Sequence, residues 1–130
     1  MVDNVQAKEV KNVLLYYSGG YYAQKALELT ACLIRKCEFD LSVLTIATKK
    51  TRAIQVQQVV KQYFSKEDIK AHYLLTIGDV GEEIKKVIKI EDIDMLITGA
   101  SLHKHFEDFI SFSLTDAILH ETNIPVLFVR

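Results

Sequence analysis

The sequence predicts an α/β fold in one domain: an open, five-stranded parallel sheet with helices on both faces. Three observations predict it. Short apolar runs rich in branched and aromatic residues alternate with segments of helical period through five strands. The run over 93–98 is apolar on both faces, as a parallel strand covered by helices on each side has to be. A chain of 130 residues, 49% hydrophobic and 25% charged, can bury a core without disulfides or a structural metal.

The first strand is expected over 12–17, because Val13-Leu14-Leu15-Tyr16-Tyr17 has the side chains that fit a buried strand. Ser18-Gly19-Gly20 turns the chain. From about 21 to 37, Ala23, Ala26, Leu27, Thr30, Leu33 and Ile34 recur at helical spacing. Leu41, Val43, Leu44 and Ile46 place a second strand over 39–47, and a second helix over 52–65 takes its buried stripe from Ile54, Val56, Val59, Val60, Tyr63 and Phe64. Strand three covers 71–77. Gly78-Asp79-Val80-Gly81 reads as a turn, and Glu82 and Glu83 open a helix where its positive end favours carboxylates; this helix ends near Glu91. After strand four comes a long loop over 99–109, then a helix over 110–121 with Leu114, Ala117 and Ile118 on its inner face. The last strand is expected over 124–129, with Pro125 at its start, where a missing N–H is tolerated on a sheet edge.

Charge and composition exclude several classes of function. Sixteen basic and seventeen acidic residues are scattered along the chain, leaving a formal charge of -1 and no field to recruit nucleic acid or an anionic membrane. The run Lys49-Lys50-Thr51-Arg52 is a short solvated loop. No apolar run approaches the roughly 20 residues of a membrane span, and the first twelve residues match neither a secretory signal nor a transit peptide. The expected setting is therefore cytoplasmic, without membrane insertion. Cys32 and Cys37 lie about 140° apart around a helix and read as reduced thiols.

In open parallel sheets, ligands bind beyond the carboxyl ends of the strands, where the strand order reverses. Two loops are candidates: Ser18-Gly19-Gly20, which opens a helix and could offer its N–H groups to an anion, and the long loop after strand four. From strand one onward the chain resembles a universal stress protein domain, most clearly in Ile93-Asp94-Met95-Leu96-Ile97-Thr98-Gly99-Ala100-Ser101 and in the closing Ile124-Pro125-Val126-Leu127-Phe128-Val129-Arg130. The resemblance implies a Rossmann-like sheet of order 3-2-1-4-5 with its switch point between strands one and four, so that both candidate loops meet.

Many members of that family bind ATP through Gly-x-x-Gly-x(nine)-Gly-Ser/Thr. Gly99 and Ser113 match its ends here, whereas Leu102 and Phe112 replace its second and third glycines. Glycine in such a loop permits close backbone approach and positive φ, so these two bulky residues are expected to block or reshape the pocket. The family's acidic residue at the end of strand one is Ser18 here, and Gly19 matches the small residue after it. A retained nucleotide site, as the resemblance implies it, would involve Tyr17, Ser18, Gly19, Ile46, Thr98, Gly99, Ser113 and Leu114, holding ATP or AMP with magnesium.

The expected function is a regulatory or binding module without ordinary ATP binding or any cofactor, acting through protein contacts; the alternative is an ATP- or AMP-binding stress protein with slow or no hydrolysis. The last strand, through Ile124, Val126, Leu127, Phe128 and Val129, is apolar at a sheet edge and is expected to pair two copies, as it often does in the family. A protein partner is expected without a residue pattern that identifies it.

Other motifs favour plainer readings. Ser18-Gly19-Gly20 also resembles the pyrophosphate loop of PP-loop ATP pyrophosphatases, but Tyr22 and Ala23 stand where that loop needs Asp and Ser. His103 and His105, with Glu107 and Asp108 nearby, read as an exposed loop rather than a metal set, and His120 as a partner of a negative helix end. Ser111, Ser113 and Thr115 suit N-capping, with Ser113 also a phosphate contact if the resemblance holds. No GxSxG or HExxH motif marks an activated nucleophile or a catalytic zinc, so no catalytic residue is expected.

Overall fold

The computed structural model describes residues 9–47, 52–99 and 122–130. Its elements in chain order are β1 (Asn12–Tyr16), α1 (Tyr21–Lys36), β2 (Asp40–Ala47), α2 (Ala53–Lys66), β3 (His72–Ile77), α3 (Val80–Ile90), β4 (Met95–Gly99) and β5 (Val126–Val129). The strands form one sheet in the order β3-β2-β1-β4-β5, and each neighbouring pair is parallel. This is the fold class expected from the alternation of periods, with the strand order implied by the family resemblance.

The two faces of the sheet hold separate cores, because successive side chains of a strand point to opposite sides. Val13 and Leu15 of β1, Leu41 and Val43 of β2 and Ile97 of β4 meet Ala23, Ala26 and Leu27 of α1 and Val60 and Phe64 of α2. On the other face Leu14, Leu44, Ile46 and Leu96 meet Ile84, Val87 and Ile88 of α3. Asp94 fixes the entry of β4 beside β1: its Oδ2 accepts the backbone N–H groups of Lys11 and Asn12 at 2.9 and 2.8 Å.

Several expected boundaries move. α3 begins at Val80, so Gly81 lies in its first turn, and Asp79 caps it by accepting the Glu82 N–H at 3.1 Å. Ile93 and Asp94 precede β4, and Ile124 and Pro125 precede β5. The buried stripe of α2 is Ala53, Gln57, Val60 and Phe64; Ile54 is 68% and Val59 47% exposed. Gln57 is buried because its Nε2 donates to the Leu74 carbonyl of β3 at 2.8 Å. Cys32 and Cys37 are both exposed free thiols. The helix expected over 110–121 lies outside the described residues.

Candidate functional site

β1 and β4 lie side by side, with Leu15 opposite Ile97 and Tyr16 opposite Thr98, so their carboxyl ends meet at the switch point. β1 neighbours β2 on one side and β4 on the other, while the chain reaches β4 only after β3 and α3. The Ser18-Gly19-Gly20 turn and Gly99 thus come to the same edge. Gly19 and Gly20 have φ of 86° and 96°, the region in which glycine avoids the steric cost of a Cβ. Gly20 immediately precedes α1, whose first turn carries no acidic residue and no side-chain cap.

Gly99 is glycine for a second, purely steric reason. A Cβ on it would lie 2.4 Å from the backbone carbon and oxygen of Tyr22 and 2.6 Å from the Ala23 nitrogen. The end of β4 is therefore packed directly onto the main chain of the first turn of α1.

The remaining expected site residues divide by face. Tyr17 is buried on the α1 side, where its hydroxyl donates to Gln24 Oε1 at 3.2 Å. Its backbone is held on both sides: the N–H donates to the Leu44 carbonyl at 2.9 Å, and its carbonyl accepts the Thr45 hydroxyl at 3.1 Å. Burial holds the phenol of Tyr17 above its ordinary pKa, since desolvation penalises the phenolate. Ile46 is buried on the α3 side. Thr98 is buried, and Ser18 is exposed at the edge. Leu102, Phe112, Ser113 and Leu114 lie outside the described residues, as do His103, His105, Glu107, Asp108, Ser111, Thr115 and His120.

The contact between Tyr21 and Lys25 at this edge escaped the sequence reading. Tyr21, 56% exposed, sets its ring edge-on to Tyr22 with centroids 5.1 Å apart, and the Lys25 ammonium stands 5.3 Å over the Tyr21 ring. The spacing of four residues between Tyr21 and Lys25 puts them on one helix face and was the available signal. Together they present an aromatic surface and a cation beside the switch point. Among the described residues no group of three His, Cys, Asp or Glu side chains is arranged to hold a metal ion, and no helix is long and apolar enough to cross a membrane.

Comparison with known proteins agrees with this architecture. A curated universal stress protein of Synechocystis is 26% identical over 132 aligned residues, spanning 100% of this chain and 46% of the relative, so the chain is about half the relative's length. The crystal structure of a universal stress protein from Archaeoglobus fulgidus superimposes with a TM-score of 0.74 at 17% identity, over 91% of this chain and 43% of that one. A universal stress protein in complex with cAMP superimposes with a TM-score of 0.76 at 10% identity, over 95% of this chain and 98% of that one. At these identities the structural matches establish the fold. Residues 39–130 match the family model described as Universal stress protein family, and with that match across most of its length the chain belongs to the universal stress protein family.

Proposed function

We propose that this chain is a single-domain regulatory or binding module of the universal stress protein family that has given up ordinary ATP binding and acts through pairing with a second copy and through protein contacts. The observation that carries this reading is the replacement of two glycines of the family's phosphate loop by Leu102 and Phe112. Glycines there allow the backbone to approach phosphate closely, and bulky side chains take that space. The loss of the acidic residue at the end of the first strand, where Ser18 stands, points the same way. No cofactor is required by this reading.

A second reading is favoured by a specific observation: the neighbour with a TM-score of 0.76 holds cAMP. Ser18, Gly19 and Gly99 come together at the switch point, with Tyr21 and Lys25 beside them. On this reading the altered loop still accepts an adenine nucleotide, with Ser113 at the phosphates and Leu102 and Phe112 turned away.

Calorimetry with ATP and magnesium, and with AMP, separates the two. The first reading expects no binding by the natural chain and binding restored in a Leu102→Gly/Phe112→Gly variant. Binding at about micromolar level, roughly -8 kcal/mol, by the natural chain would overturn it and make Ser18, Gly99 and Ser113 the next residues to replace.

A further inference from the structure

β3 closes one edge of the sheet. Among the described residues it pairs only with β2, in an unbroken register from His72 opposite Ser42 to Ile77 opposite Ala47. The backbone groups of successive strand residues turn alternately to the two sides, so those of alternate β3 residues face away from β2 and are open to a further strand. Sheet edges are ordinarily blunted by charge, by proline or by a bulge. β3 has none of these: His72-Tyr73-Leu74-Leu75-Thr76-Ile77 contains no Lys, Arg, Asp, Glu or Pro, and its register with β2 has no extra residue.

The side chains along this edge are apolar and uncovered. Tyr73 packs on the core beneath α1 and α2, and Leu75 and Ile77, two and four residues on, point to the same side. Leu75 is nevertheless 43% and Ile77 80% exposed. α2 borders them without covering them: the Lys61 ammonium stands 5.4 Å over the Tyr73 ring, and Ile54, seven residues earlier, lies on the same helix stripe. α2 leads from the carboxyl end of β2 to the amino end of β3 and so runs opposite to the strand. Seven residues of helix span about 10 Å and four of strand about 13 Å, which brings the exposed Ile54 level with Leu75 and Ile77.

The free charges beside the edge are mostly positive. Arg52 at the start of α2, Lys61, and Lys70 just before β3 make no ion pair among the described residues. The nearby carboxylates are largely engaged: Glu67 pairs with Arg35, Glu82 and Glu83 pair with Lys85 and Lys86, and Asp79 caps α3, which leaves Asp68 as the opposing charge. An open row of backbone groups is matched by an extended chain. Alternate apolar side chains suit Ile54, Leu75 and Ile77, and flanking carboxylates suit the cations, whereas a second copy of β3 would bring the same cations to the contact. We propose that β3 takes up an extended, acid-flanked segment of a partner protein as an additional strand, its alternate branched side chains seated on Ile54, Leu75 and Ile77. This rests on the reading that the chain acts through protein contacts, and gives those contacts a surface separate from β5.

The test is amide hydrogen exchange of the full chain with the acetylated peptide Asp-Glu-Val-Thr-Val-Thr-Val-Asp-Glu at about physiological salt, where exposed charges are screened beyond about 8 Å. A version with Lys at every acidic position is the control. The acidic peptide is expected to bind saturably and to slow exchange at alternate β3 amides, the others being bonded to β2 already. Leu75→Lys and Ile77→Lys should each weaken it about tenfold or more. Arg52→Glu/Lys61→Glu should weaken it about two- to tenfold and strengthen the Lys-flanked version by a similar factor, a gain that an unfolded variant cannot show. No saturable protection of β3, or equal affinity in the natural chain and the variants, would overturn the proposal. So would self-association that Ile77→Lys abolishes and Leu127→Asp leaves intact, which would make the occupant a second copy. Nucleotide binding by the natural chain would remove the proposed loss of ATP binding without altering protection of β3, so the two fail separately.

Discussion

Gly99 is fixed by what it faces. The atoms 2.4 Å from its missing Cβ belong to the helix backbone at Tyr22, which cannot swing aside as a long side chain can. Gly99→Ala is expected to lose about 1–3 kcal/mol of stability by overpacking, read as a lower urea midpoint at unchanged slope. This requirement for glycine is independent of any ligand, so a family signature position can be retained for packing alone. Tyr17 makes a prediction in pH. Its folded pKa lies above the ordinary value of 10.0 because of burial. Its contribution to stability is therefore full below about pH 10 and is lost as pH rises through the folded value. Tyr17→Phe cannot ionise and loses only the bond to Gln24, worth about 1 kcal/mol near neutral pH. Its stability should then fall less steeply above about pH 10; Tyr73, raised by burial as well, leaves a residual slope in both proteins. Parallel alkaline declines of the urea midpoint would remove Tyr17 as a cause.

At the scale of elements, Glu82 and Glu83 marked the start of a helix in the sequence, while Asp79 was assigned to the turn before it. Asp79 caps α3 through the N–H of Glu82, three residues on. Asp79→Ala should cost about 1 kcal/mol, measured by thermal or urea unfolding, with the loss confined to stability. The buried stripe of α2 was misread for a reason outside the helix. At 100° per residue, Ala53, Gln57, Val60 and Phe64 fall in one arc, while Ile54 and Val59 lie about 90° and 130° from its middle on opposite sides. Apolarity alone put Ile54 and Val59 in the stripe and left Gln57 out. The buried Gln57 is tolerated because a carbonyl of β3 takes its amide proton, a partner seventeen residues away that no helical period can reveal.

For the whole molecule, β3 and β5 are the two edges of the sheet. Pairing through β5 is the proposed dimer contact, and its Leu127 is 37% exposed. Sedimentation should give twice the monomer mass for the natural chain and the monomer mass for Leu127→Asp, which sets a charge on that edge. A natural chain that sediments as a monomer at tens of micromolar would remove the dimer from the reading. The number of described strands, their alternation with helices and the burial of β4 on both faces could be read from the sequence, because period and side-chain shape act within a few residues. What depends on neighbours distant in the chain emerges with the folded arrangement. Gly99 faces the start of α1, and Tyr17 turns into the core rather than over the cleft. Such placements follow from strand order and register, which bring together residues such as Lys11 and Asp94, 83 positions apart, and no local periodicity encodes that distance.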